Sequence, residues 1–101
     1  MSTALSFSQR VWKLTEQIPA GRVATYADLA ARLRTKGLRA VGNALHRNPF
    51  APKVPCHRVV GSDGRLTGYA GGLAKKEKML QAEGVAVANG RVDLNVYRWR
   101  P

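Results

Sequence analysis

The chain holds one cysteine and two histidines, and the cysteine has a histidine beside it in Pro55-Cys56-His57-Arg58. A thiol becomes a useful nucleophile when a base removes its proton or when nearby positive charge stabilises the thiolate. Cys56 has both kinds of neighbour. Adjacency by itself is weak evidence, because neighbours in sequence often point in different directions. One cysteine forms no intramolecular disulfide, and Cys56 with His57 falls short of the four ligands of a structural zinc site. No metal site and no cofactor are expected. Two readings of Cys56 stay open on these residues: a buried, inert thiol and a reactive one.

Charge is the second chemical signal. Seventeen Lys and Arg face six Asp and Glu, a formal net charge of +11. Such an imbalance destabilises a compact fold by self-repulsion, and attraction to the phosphates of nucleic acid is its usual compensation. A basic protein kept soluble by its charge, or one drawn to acidic membranes, are the plainer readings. Of the 101 residues, 45% are hydrophobic and 23% charged, which fits one globular domain. No apolar run approaches the roughly 20 residues of a membrane helix, and Met1–Phe7 lacks the order of a signal peptide. The expectation is a soluble intracellular monomer without a membrane partner, cytoplasmic and nucleoid-associated or nuclear.

These residues need elements to position them. Phe7, Val11, Leu14 and Ile18 recur at helical spacing, predicting a helix over about Ser6–Gln17, with Ser6 and Gln9 as a capping box. Arg22-Val23-Ala24 reads as a short extended link. Thr25 caps a second helix, Tyr26–Leu33, with Asp28 in its first turn. Leu38, Val41, Ala44 and Leu45 form one face of a third helix, stopped by Asn48-Pro49. Two short helices around Thr35-Lys36-Gly37, the second carrying Arg39, His46 and Arg47, suggest a helix-turn-helix; any small bundle also contains such a pair. After Pro52 come the β-branched Val59-Val60, a turn at Gly61–Gly64, and a glycine-rich loop to Leu73 whose backbone must approach something closely or adopt positive φ. Lys75–Glu83 reads as a last helix, stopped by Gly84. Val85–Val87 and Arg91–Leu94 read as a hairpin through a type I′ turn at Asn89-Gly90. The ending, Tyr97–Pro101, packs on the body or touches phosphate.

Four segments stand in a fixed order: Arg39-Ala-Val-Gly42, Asn48-Pro49, Pro55-Cys-His-Arg-Val59 and Gly68-Tyr-Ala-Gly-Gly72. Together they resemble the C-terminal, active-site domain of O6-alkylguanine-DNA alkyltransferases, the methylated-DNA–protein-cysteine methyltransferases, from about Phe7 to Glu83. The resemblance implies a mostly α fold with small β elements, an α+β, winged-helix-like DNA-binding domain with a helix-turn-helix. It also implies duplex DNA containing O6-alkylguanine as partner, with the damaged nucleotide turned out of the helix.

Residue by residue, the resemblance makes Cys56 the acceptor of the alkyl group and His57 the base acting through a bridging water. Glu83 then orients and charges that histidine, as in hydrolase triads. Asn48 is the hinge that ties the recognition helix to the active site, and Tyr69 donates a proton to guanine N3. Arg39 fills the gap left by the everted base and Tyr26 turns the phosphate, with Ala40 and Gly42 beside them among the DNA-contacting residues. Lys76, grouped with these, neutralises developing charge in the pocket. The Val59 carbonyl accepts from the guanine amine, and Pro55, Ala70, Gly71 and Gly72 complete the base pocket. Each has a duller rival: Glu83 as a solvated helix-end carboxylate, Tyr26 and Tyr69 as packing aromatics, Arg39 as one surface arginine among many, Asn48 as a plain residue before proline. Trp12 and Trp99 read as core.

Some features depart from that pattern. The family's usual N-terminal domain is not expected here, so Arg58, which would face it, is free or repurposed. Phe50-Ala51-Pro52-Lys53-Val54 carries Pro and Lys where many members have another Pro and apolar residues. Ala70 stands where several members have a hydroxyl. The tail, Val92–Pro101, resembles that of alkyltransferase-like proteins, which bind alkylated guanine and hand the lesion to nucleotide excision repair. Those relatives typically carry Trp or Ala at the position of Cys56. Three functions follow: single-turnover alkyl transfer to Cys56, a non-catalytic lesion sensor with excision-repair partners, and a basic helix-turn-helix regulator.

Overall fold

The computed structural model describes residues 5–51, 53–69 and 71–101; Pro52 and Ala70 lie outside the described residues. Helix α1, Phe7–Glu16, begins with the expected reciprocal box: the Ser6 hydroxyl accepts from Gln9 N–H and the Gln9 side chain accepts from Ser6 N–H. Helix α2, Tyr26–Arg32, begins the same way with Thr25 and Asp28. After a turn, α3 runs Leu38–His46 with Val41, Ala44 and Leu45 buried. The α2–α3 pair is the helix-turn-helix. The Trp12 indole donates to the Ala44 carbonyl at 2.7 Å and ties α1 to α3.

Two-residue strands do the dividing. β1, Ala24–Thr25, pairs in parallel with β2, Val59–Val60, in the register Ala24 to Val59 and Thr25 to Val60. Because side chains alternate along a strand, Ala24 and Val59 enter one apolar cluster with α1, α2 and α3. Val23 and Val60 enter a second, with Leu66, Leu80, Val85 and Val92. The pair is thus a wall shared by two small cores. The parallel pairing, spanning the whole helix-turn-helix, was not foreseen from two short apolar runs far apart in sequence.

Helix α4 spans Leu73–Ala82 and begins two residues earlier than expected, because Gly72 turns the chain at φ 94°. The hairpin is shorter than predicted: β3, Val87–Ala88, and β4, Arg91–Val92, with Asn89 and Gly90 at φ 54° and 73°, as a type I′ turn requires. Leu94 leaves the strand because Asp93 caps a further single-turn helix, α5, Leu94–Tyr97. Hence α4 is not the last helix. The tail packs on the body: Val23 exchanges backbone bonds with Tyr97 and Trp99, and Arg98 clamps Asp28, the capping residue of α2.

Candidate functional site

Cys56, His57 and Arg58 form a single 3-10 turn between Pro55 and β2. Three residues per turn send consecutive side chains to three different sides. Cys56 stays half-exposed, His57 is buried with 2% of its surface exposed, and Arg58 reaches the gap between the end of α1 and the end of α4. Glu83, the residue that ends α4, meets both of its neighbours there. His57 Nε2 lies 3.0 Å from Glu83 Oε2. Arg58 holds the same carboxylate as a fork, Nε donating to Oε1 at 2.9 Å and Nη2 to Oε2 at 2.6 Å. Its Nη1 donates to the Ile18 carbonyl at 2.7 Å. Arg58 is thus engaged by Glu83 and Ile18 rather than free.

An ionised carboxylate only accepts, so Nε2 carries the hydrogen and Nδ1 the lone pair. Nδ1 is buried and has no hydrogen-bond partner among the described residues. Burial, opposed by Glu83 and aided by Arg58 and Lys76, holds the His57 pKa below its ordinary 6.5. For Glu83 burial acts upward, but hydrogen bonds from Arg58 and His57 outweigh it and the carboxyl sits below its ordinary range. The imidazole is therefore neutral and the carboxylate charged at neutral pH. That is the state in which a base can accept a proton.

Lys76 corrects an expectation. It is fully buried on α4 rather than turned to a DNA surface, and its ammonium donates to the carbonyls of Val59 at 2.6 Å and Thr67 at 2.7 Å. Burial pulls its pKa down to about 8, against an upward pull from Cys56. The Val59 carbonyl, expected to face a guanine amine, already serves this ammonium; only its second lone pair remains. Tyr69 packs edge-on to His57, ring centroids 6.5 Å apart, and its hydroxyl donates to Met79 Sδ at 3.3 Å. Burial, with the Cys56 sulfur nearby, raises the phenol's pKa, so it is protonated at neutral pH.

The Asn48 amide donates to the Val54 carbonyl and its oxygen accepts from Phe50 N–H, both at 2.8 Å. That links the end of α3 to the approach to Cys56 through buried Val54 and Pro55. Arg39 and Ala40 are exposed on α3 beside half-buried Gly42. With Tyr26, Ala27, Leu38 and Ser62, Arg39 and Gly42 line a surface concavity of about 420 Å³. The Tyr26 hydroxyl accepts from Thr67 at 3.3 Å. A Cβ on Gly71 would crowd Lys75 and the Tyr69 ring, whereas one on Gly72 would meet nothing. Asn43, one turn beyond Arg39, shares the exposed side of α3. Both tryptophans are half-buried, Trp99 against the first core with Arg32 over its ring. Among the described residues no helix is long and apolar enough to cross a membrane, and no cluster of three or more His, Cys, Asp or Glu could hold a metal.

A family described as 6-O-methylguanine DNA methyltransferase, DNA binding domain, matches residues 6–85. The chain belongs to this family. Its curated relatives include the methylated-DNA–protein-cysteine methyltransferase of Methanosarcina mazei, 51% identical over 78 residues, which are 76% of this chain and 49% of that protein. The Salmonella typhimurium protein of the same name is 51% identical over 79 residues, 77% of this chain and 46% of that one. The chain spans about half the length of these relatives. Among solved structures, Schizosaccharomyces pombe (S. pombe) Atl1 in complex with damaged DNA containing O6-carboxymethylguanine superposes with a TM-score of 0.85 at 28% identity, covering 94% of this chain and 95% of that one. Mycobacterium tuberculosis OGT in complex with DNA superposes at 0.76 with 44% identity, covering 81% and 51%.

Proposed function

We propose that this protein binds duplex DNA, everts an O6-alkylguanine toward Cys56 and takes the alkyl group onto its sulfur. An alkyl group on O6 lies within the stacked duplex, so the nucleotide must leave the helix, at a cost of a few kcal/mol. Arg39, exposed on α3, fills the gap, and Tyr26 at its rim engages the phosphate. His57 Nδ1 accepts the thiol proton through a water, and the imidazolium formed is stabilised by Glu83. The sulfur lone pair then forms the bond to the alkyl carbon while the carbon–O6 bond breaks. Its electrons stay on guanine, and Tyr69 supplies a proton at N3. The second lone pair of the Val59 carbonyl is the acceptor for the guanine amine. The product is a thioether, so each molecule acts once.

The observation that carries this reading is a half-exposed lone thiol beside a buried, neutral imidazole whose far nitrogen is held by a carboxylate. Incubation with a duplex containing O6-methylguanine should add one methyl to the Cys56 peptide, read by mass spectrometry, and Cys56→Ala should abolish the transfer while leaving lesion binding. Tight binding with an unmodified Cys56 peptide would refute the transfer. It would favour a second reading, supported by the end-to-end likeness to Atl1: a lesion sensor that presents damage to excision-repair proteins.

A further inference from the structure

Among the described residues, Arg58 is the one cation that touches the relay behind Cys56 with more than one hydrogen bond. Its fork occupies both oxygens of Glu83, and Oε2 is shared between Nη2 at 2.6 Å and His57 Nε2 at 3.0 Å. A third donor fixes the guanidinium to the Ile18 carbonyl, just after α1. A planar guanidinium held at three points leaves its carboxylate one orientation, the one that faces His57. The pair is largely withdrawn from solvent, with 17% and 19% of the two side chains exposed, so its charges act with little screening. The other groups around the imidazole are Lys76 from α4, the Tyr69 ring, and Cys56 on the same turn. None of them contacts Glu83 by hydrogen bond or ion pair among the described residues.

We infer that Arg58 is a positioning residue for the proposed alkyl transfer: it orients Glu83 toward His57 and balances its charge, keeping the imidazole unprotonated until the thiol yields its proton. An uncompensated carboxylate at 3.0 Å would draw a proton onto His57 in advance, and a protonated base cannot accept another. The guanidinium adds to the effect of burial and offsets part of that pull, while leaving the hydrogen bond that selects the tautomer. Charge and fork have separable jobs, which makes Arg58→Gln and Arg58→Lys informative together.

This inference rests on the transfer reading, but its first test does not. Titration of the His57 ring by NMR, assigned with His57→Gln, should show the midpoint moving upward in Arg58→Gln and staying near the parent's in Arg58→Lys. In the transfer assay, the acid limb of the rate profile should move to higher pH in Arg58→Gln, lowering the rate roughly tenfold where His57 has become protonated. A folded Arg58→Gln protein with an unmoved His57 midpoint would overturn the inference. So would an Arg58→Lys midpoint that rises, which also decides the matter if Arg58→Gln does not fold. A rate that falls equally at every pH would mark Arg58 as merely structural. If Cys56 takes no alkyl group at all, the proposed function fails while the titration still judges Arg58.

Discussion

Two basic side chains, Arg58 and Arg39, sit in opposite circumstances. Arg58 is folded inward, with each nitrogen of its guanidinium donating to Glu83 or Ile18. Arg39 is exposed on α3, and among the described residues nothing pairs with its guanidinium. The same contrast divides their surroundings. Behind Cys56, His57 and Lys76 are buried and engaged, so the fold itself explains why they are there. On α3, Gly42 has open space where a Cβ would be, although glycine within a helix costs about 1 kcal/mol relative to alanine. No internal contact repays that cost. In the proposed function the interior holds groups in place for a proton to move, and the open outer side of α3 is where DNA approaches.

The sharpest way to break this comparison is Glu83→Gln. It removes the charge that stabilises the imidazolium and leaves Arg58 unpaired, so transfer to Cys56 should slow by about 100-fold, with about 1–3 kcal/mol lost in stability. Single-turnover kinetics that match the parent would remove Glu83 from the relay. Arg39→Ala should do the reverse: thermal stability unchanged, and lesion-duplex affinity reduced by about 1–3 kcal/mol. Unaltered binding in a fluorescence titration would count against the finger role. Lys76→Met should destabilise the fold by about 1–3 kcal/mol, because the carbonyls of Val59 and Thr67 lose their donor. A melting temperature at or above the parent's would mean that shedding a buried charge outweighs those two bonds. The smallest effect is the most discriminating. Gly42→Ala should stabilise the protein by about 1 kcal/mol and weaken DNA binding, whereas tighter or equal binding would show that nothing approaches there.

Much of the frame was legible beforehand. The capping boxes of Ser6 with Gln9 and Thr25 with Asp28 are local, since a side chain three residues away satisfies the helix's first amides whatever else the chain does. The Asn89-Gly90 turn is equally local, depending on two residues that tolerate positive φ. The one-turn helix after Asp93 was missed because four residues are too few to show a period, and tertiary packing of Tyr97 and Trp99 sustains it. The parallel pairing of Ala24 with Val59 was missed because no local rule joins segments separated by two helices.

The candidate site divides along the same line. The likeness to a repair family was enough to nominate His57, Glu83, Tyr69 and Asn48 for roles around Cys56, but not to show that Glu83 and His57 meet. Residue type could not decide whether Arg58 or Lys76 faces outward, since a long cationic side chain is ordinarily solvated.

Local hydrogen bonding and apolar periodicity act within a few residues, so the order of elements and the chemistry on offer were set by the chain's own text. Which cations turn inward depended on carbonyls and a carboxylate contributed by distant segments. A buried charge is tolerated only where partners from elsewhere converge on it. Arg58 on Glu83, and Lys76 on Val59 and Thr67, therefore came into being only when the fold closed around them.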